Sequence, residues 1–440
     1  MEDLKNKKIL VVGLGLQGGG IGLVKFLHKH GAQITVTDKK NPEQLQASIS
    51  ELKDLPINYR FSKHELIDFL NSDLIFKGPS VPWTLPEIVK AQEKNIPIEM
   101  ETAYFLKNTT AKTIGVTGTR GKTTTTLMIE SIFKNLGKKY YLSGNLPQKS
   151  TINLLDETNS EDWVILELSS WQLSGCRQDQ VSPQIAVFTN LYPDHFNYYK
   201  NLEDYYQDKK AIFAYQKKED VLLVNSNLRD RIEQEKINIQ VNYFSAADFP
   251  FPLKYLKGQH NLENAAAAYK ISQLLKFDAK KSQEIIADFR GVPYRQQFIA
   301  QKNNVIFIND TTSTTPTATI KAIDAFTDKP IVLLFGNSSK NLPVEELLLE
   351  LKKVQKIVLL KGDFTDAILP KLKELYPEKL STKVFDNFED AIRNAYQEAQ
   401  FIAQNQKEVY LLLSPAAASF SMFNNEFHRG DEFNRIVNLL

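Results

Sequence analysis

The stretch TIGVTGTRGKTTTTLMIESIFKNLG, residues 113–137, constrains this chain more than any other. An apolar β-type run stops at a glycine-bearing turn, and the turn passes at once into a helix-period segment that closes on Gly137. Gly118 and Gly121 let backbone N–H groups around Thr119 point inward at oxygen anions, and the helix start adds its partial positive charge. Lys122 can neutralise the β and γ oxygens of a nucleoside triphosphate, and the Thr123 hydroxyl, followed by Thr124, can ligate Mg²⁺. The spacing Gly115, Gly118, Gly121, Lys122 is one residue longer than the usual phosphate loop, which would carry glycine at position 116. The competing reading is an ordinary glycine turn with an exposed lysine. The strand before, the helix after and the intact GKT argue against it.

Runs rich in Val, Ile and Leu alternate with helix-period segments along most of the chain, which predicts an α/β fold with parallel sheets covered by helices. Strands are expected at 7–15, 32–38 and 73–82, then at 113–118, 162–170, 184–190 and 220–225, and finally at 303–310, 329–336, 356–362 and 408–415. Three series of unequal length follow, with domains expected over residues 1–98, 99–298 and 299–440. Glu167 interrupts an apolar strand next to the phosphate-loop strand. Such a buried carboxylate needs a cation, and Mg²⁺ and a structural salt bridge both qualify. Asp194 and His195 follow the next strand, at the same sheet edge, where a metal or substrate role for the histidine competes with a plain surface position. Near the start, Gly13, Gly15 and Gly18 form GxGxxG after a strand, and Asp38 ends the second strand at the position of a ribose-binding acid. The motif does not distinguish a dinucleotide from another nucleoside diphosphate.

Composition excludes several classes. The 440 residues carry 54 basic and 52 acidic side chains, a net charge of +2, so no nucleic-acid partner is implied. The single cysteine, Cys176, cannot form an internal disulfide, and no apolar stretch approaches the roughly 18 residues of a membrane span. With an acidic, strand-like start in place of a signal peptide, the expectation is a cytoplasmic protein without membrane insertion.

Taken together, these residues make the chain resemble the Mur ligase family over essentially its whole length. The motifs are GLGLQGGG at 13–20, GVTGTRGKTT at 115–124, GNLP at 144–147, ELSSWQL at 167–173, NLYPDH at 190–195, KKAIF at 209–213, GQHNLENAAAA at 258–268, VPYR at 292–295, NDTTSTTPTA at 309–318 and SPAAAS at 414–419. The resemblance implies an N-terminal Rossmann-like domain for a UDP sugar, a central phosphate-loop ATPase domain and a C-terminal Rossmann-like domain. It implies an ATP-dependent amide ligase, working as a monomer, that adds D-glutamate to UDP-N-acetylmuramoyl-L-alanine through an acyl phosphate, with ATP and two Mg²⁺ ions as cofactors. Lys122 and Thr123 would hold ATP phosphates and Mg²⁺, Glu167 that metal, and His195 a second ion together with a carbamylated lysine, Lys209 or, failing it, Lys210. Asn261 and Asn264 would meet the adenine side, Arg295 phosphate and Asp310 ribose. Leu16, Gln17, Asp38 and Gly78 would hold uridine diphosphate, while Asn145, Ser169 and Gln172, with His195, would meet the muramoyl-alanine end.

The amino-acid pocket departs from the family pattern. Thr311, Thr312 and Ser313 follow Asp310 where many members carry a lysine, and the loop after 329–336 reads GNSSK in place of a glycine-rich GGxDK. Lys340, Ser414 and Phe423 resemble the glutamate contacts, with a core role open for Phe423. L-glutamate or another Mur-type substrate is the alternative within the class. Outside it stand a nicotinamide oxidoreductase fused to an NTPase, motivated by GxGxxG, and a non-catalytic nucleotide-binding regulator. The joint presence of Lys122, Glu167, His195 and Lys209 argues against the regulator.

Overall fold

The computed structural model describes residues 3–15, 19–146, 150–196, 198–235, 237–256 and 258–440. The chain divides into two compact units, Met1–Leu253 with Lys257–Phe289, and Lys254–Leu256 with Arg290–Leu440. The second unit therefore begins a little before the expected join near residue 298. Both units are α/β.

The first unit holds two parallel sheets. Strands β1 (Lys8–Val12), β2 (Gln33–Asp38), β3 (Ile57–Phe61), β4 (Leu74–Lys77) and β5 (Ile98–Glu99) make one, in the order β3-β2-β1-β4-β5. Strands β6 (Lys112–Thr117), β7 (Tyr140–Gly144), β8 (Trp163–Glu167), β9 (Ile185–Phe188), β10 (Val221–Asn225) and β11 (Gln240–Phe244) make the other, in the order β11-β10-β9-β6-β8-β7. In the second unit β12 (Gln297–Lys302) runs antiparallel to β13 (Val305–Asn309). The rest of that sheet is parallel, with β14 (Ile331–Gly336), β15 (Lys356–Leu360), β16 (Leu380–Phe385) and β17 (Val409–Leu413) in the order β12-β13-β17-β14-β15-β16.

Each sheet has central strands buried on both faces, since helices cover both sides, and every residue of β4, β9, β13, β14 and β17 is buried. Each sheet also has a point near its centre at which its strand order reverses. In the first, β1 lies between β2 and β4; in the second, β6 lies between β8 and β9; in the third, β17 joins β13 to β14. Crevices beyond the carboxyl ends of strands open at such reversals. The glycine turn after β1, the phosphate loop after β6 and Ser414 after β17 all stand at one.

Candidate active site

The backbone of the phosphate loop is held by its neighbour. Thr189 and Asn190 follow β9 directly: Thr189 Oγ1 donates to Arg120 O at 2.7 Å, Asn190 Nδ2 to Arg120 O at 3.0 Å, and Arg120 N donates to Asn190 Oδ1 at 2.8 Å. Thr119 N donates to Asn190 O, and Thr119 Oγ1 accepts from Tyr192 N at 2.9 Å. This brace leaves no space for side chains at the glycines. A Cβ on Gly118 would lie 1.9 Å from Thr189 Oγ1, and one on Gly121, at φ +80°, 2.3 Å from Asn264 Oδ1. Helix Lys122–Asn135 starts at Gly121, and Lys122 Nζ folds back to the Gly118 and Thr119 carbonyls at 3.1 and 3.3 Å. Thr123 and Thr124 stand in its first turn.

The structure brings most of the expected groups of the first unit to this edge. Glu167, the last residue of β8, is 2 % exposed; its Oε1 accepts from Asn145 Nδ2 at 3.0 Å, and its Oε2 is buried without a hydrogen-bond partner among the described residues. A free, buried carboxylate oxygen beside a phosphate loop fits a hard cation such as Mg²⁺. Lys209, on helix Leu202–Lys210, is 1 % exposed and donates to Gly118 O at 2.9 Å. Burial, with the nearby Lys122 charge adding to it, pushes its amine well below the ordinary lysine range. Lys210 pairs instead with Glu235. His195, at φ +56°, is exposed, with its ring 5.2 Å from Trp171 and 6.1 Å from Tyr205, whose ring centroid is 4.7 Å from Lys209 Nζ. Among the described residues, no three His, Cys, Asp or Glu side chains gather as a metal cluster. Asn264 accepts from Thr125 Oγ1 at 3.2 Å, and its Nδ2 donates to Asn261 Oδ1 at 3.4 Å, so both sit behind the loop on helix Gln259–Leu274.

A cavity of about 670 Å³ opens in the same unit between the carboxyl ends of β1 and β4 and the segments after β7 and β8. Its walls include Asp38, Gly78, Asn145, Ser169 and Gln172, five of the residues expected to hold the sugar nucleotide. Asp38 accepts from Leu14 N at 3.0 Å and so shapes the glycine turn. Ser169 and Gln172 form a reciprocal capping box at the start of helix Ser170–Asp179, which fixes the wall they make. Leu16, Gln17 and Gly18 lie outside the described residues. Among the wall residues that sequence reasoning missed is Lys77, which ends a strand without any motif. It is 2 % exposed, donates to Val81 O at 2.9 Å and stands 4.4 Å from the Trp83 ring centroid; burial lowers its pKa to about 7.

In the second unit, Asp310 and Ser414 meet: Ser414 Oγ donates to Asp310 Oδ2 at 2.8 Å, both are almost wholly buried, and burial raises the Asp310 carboxyl to about 6. Gln296 N donates to the other Asp310 oxygen at 3.1 Å, which ties the segment of Arg295 to it. Lys340 is exposed and donates to Thr314 Oγ1 at 2.7 Å. Phe423 is partly buried and packs edge-on at 4.8 Å against Phe388, a member of a core cluster. Arg429, absent from the expectations, is fully buried and pins Thr311 O at 2.9 Å and the Ala417 and Ala418 carbonyls at 3.4 Å.

A parallel sheet with a braced glycine–lysine loop at its strand-order reversal defines the phosphate-loop class of nucleotide-binding proteins. Relatives narrow the class. Residues 7–99 match the Mur ligase MurD-like N-terminal domain, 116–250 the Mur ligase middle domain and 294–413 the Mur ligase glutamate ligase domain. A UDP-N-acetylmuramoylalanine–D-glutamate ligase of Roseiflexus sp. is 33 % identical over 99 % of this chain and 99 % of its own. Another so named, from Clostridium botulinum, is 34 % identical over 100 % of this chain and 98 % of its own. The chain belongs to the Mur ligase family. Among solved structures, UDP-N-acetylmuramate-alanine ligase from Thermotoga maritima shares the fold with a TM-score of 0.54 at 20 % identity, over 99 % of this chain and 100 % of its own.

Proposed function

We propose that this chain is an ATP-dependent amide ligase that joins D-glutamate to the carboxylate of UDP-N-acetylmuramoyl-L-alanine in peptidoglycan precursor synthesis. One observation carries the reading: Asn145, a wall of the large cavity, donates at 3.0 Å to Glu167, which stands beside the phosphate loop. A sugar nucleotide in that cavity and a triphosphate on that loop are thereby neighbours.

In this reading Gly118, Thr119, Gly121, Lys122, Thr123 and Thr124 cradle the phosphates of ATP, Asn261 and Asn264 serve the adenine side, and Arg295 and Asp310 meet phosphate and ribose. Asp38, Gly78, Asn145, Ser169, Gln172 and His195 hold the acceptor, with Leu16 and Gln17 assigned by resemblance alone. Lys340, Ser414 and Phe423 meet the amino acid. Thr123 and Glu167 hold one Mg²⁺, and His195 with carbamylated Lys209 holds a second. Bound metal supplies positive charge that lets two anions approach. The three domains span 1–98, 99–298 and 299–440, and the chain works as a cytoplasmic monomer.

The chemistry follows from charge. An acceptor carboxylate oxygen attacks the γ-phosphorus, the bond to the β–γ bridging oxygen breaks and ADP leaves; the glutamate amine then attacks the acyl phosphate and phosphate leaves. The Lys122 ammonium and the helix N-terminus offset the repulsion between carboxylate and triphosphate and stabilise the charge of the transition state. Burial favours the uncharged Lys209 amine, the form that adds CO₂ and releases a proton, and the resulting carbamate would offer oxygen where the amine offered none. Asn145 orients Glu167 through the one hydrogen bond its carboxylate accepts from a side chain among the described residues.

The test is phosphate release from ATP with UDP-N-acetylmuramoyl-L-alanine, comparing D-glutamate, L-glutamate and no amino acid. Release with D-glutamate alone is expected. Equal release without any amino acid, or none at all, overturns the reading.

A further inference from the structure

The loop between β14 and the next helix contains a residue that bears two local costs at once. Asn337 has φ +121°, a conformation natural to glycine, and it follows Gly336, at φ +108°. Its side chain is completely buried, yet Nδ2 has no hydrogen-bond partner among the described residues. A glycine would remove both costs, so what the carboxamide does provide needs an account.

It provides Oδ1, and Oδ1 is doubly engaged. Ser421 Oγ donates to it, and Ser338 Oγ donates to it at 3.0 Å. Ser421 N in turn donates to Ser338 Oγ at 3.0 Å, and Ser338 and Ala418 exchange backbone hydrogen bonds at 3.1 and 2.9 Å. The backbone of Asn337 is held from the other side, its carbonyl accepting from Phe364 N at 3.1 Å. Two loops at the carboxyl edge of the third sheet are thus fastened side chain to side chain. One carries Lys340; the other lies between Ser414 and Phe423. These are the three residues assigned to the amino acid, and Lys340 itself is exposed, held by a hydroxyl of a third loop, Thr314 Oγ1.

We propose that Asn337, through its hydrogen-bonded clasp with Ser421 and Ser338, is a positioning residue for the amino-acid substrate. It sets the separation between the cation at Lys340 and the Ser414–Phe423 segment, and so the fit of a dicarboxylate of glutamate length. The inference rests on the ligase reading. Asn337, Ser338 and Ser421 are not among the residues assigned to ATP or to the acceptor, so losing the clasp should act chiefly on the amino acid. The free Nδ2 and the positive φ are the cost of placing a carboxamide oxygen where two hydroxyls converge.

Two variants of the full chain test it. Ser421→Ala removes one donor and leaves Asn337 in place; Asn337→Gly removes the clasp and relieves the backbone. Both should raise the KM for D-glutamate about five- to tenfold, with kcat at saturating glutamate and the KM values for ATP and the acceptor within twofold of the parent. Both should also speed amide hydrogen exchange across 338–341, and Asn337→Gly should not lower the melting temperature. A glutamate KM unchanged in both variants overturns the inference, whether or not exchange quickens. An equal rise in all three KM values overturns it too, since that is a general loosening. Failure of the parent chain to turn over with glutamate is the failure of the ligase reading, and it removes this one with it.

Discussion

Replacing Gly121 by alanine puts a methyl group where none fits. The backbone there has φ +80°, which costs an L-residue about 1–2 kcal/mol. The new Cβ would stand 2.3 Å from Asn264 Oδ1, so the asparagine must swing away and give up its 3.2 Å hydrogen bond from Thr125, worth about 1 kcal/mol. The sum, about 2–3 kcal/mol, should lower the melting temperature of the first unit by roughly 4–10 °C. Because Asn264 braces the loop from behind, the KM for ATP should rise as well. Thermal denaturation of Gly121→Ala, Asn264→Ala and the double variant separates the two contributions. Deleting the Asn264 side chain makes room for the methyl, so the double variant should be about 1 kcal/mol more stable than the two single effects added together. Its ATP KM should stay high, since the loop's conformation is still strained. Strict additivity, or a Gly121→Ala protein that melts with the parent, would refute the packing argument.

Further expectations concern single side chains. Lys209→Ala should lose turnover and recover part of it when a small carboxylate such as acetate fills the vacated space, whereas Lys210→Ala, which only frees Glu235, should stay within a few-fold of the parent in phosphate release. Burial raises Asp310 to about 6 from 3.8, so the folded chain keeps a proton there that the unfolded chain has already released. Its stabilisation is complete below about pH 3.8 and lost as pH rises through about 6, on the order of 3 kcal/mol. Urea denaturation between pH 4 and 7 should therefore show a shallower pH dependence for Asp310→Asn than for the parent, and equal slopes would remove the buried proton from the account.

The strands that the sequence revealed and those it hid divide by a physical rule. The eleven apolar runs expected as strands all correspond to strands, from β1 to β17. The six that left no recognised trace, β3, β5, β7, β11, β12 and β16, are the outer strands of the three sheets. A strand covered on both faces is apolar along most of its length, as in IVLLFG at Ile331–Gly336, while an outer strand such as Ile57–Phe61 alternates between intermediate and exposed positions and uses Asn and Arg freely. The site divides similarly. Glycine turns, the GKT and the acid ending β8 carry their chemistry in sequence, because a phosphate loop tolerates few residue types. The braces do not. Thr189 and Asn190 act on Arg120 from 70 positions away through ordinary polar side chains, Lys77 ends its strand with no motif around it, and Asn337 is visible only through its backbone angle. Such residues gain meaning from what stands opposite them, which spacing along one chain does not record.

The account depends on an acceptor carboxylate reaching the γ-phosphate of ATP at the mouth of the central sheet. Acceptor labelled with ¹⁸O in its alanyl carboxylate decides this directly. Turnover with ATP and D-glutamate should transfer one ¹⁸O atom to each phosphate released, detected by mass spectrometry. Phosphate that instead takes its new oxygen from the solvent water would contradict it.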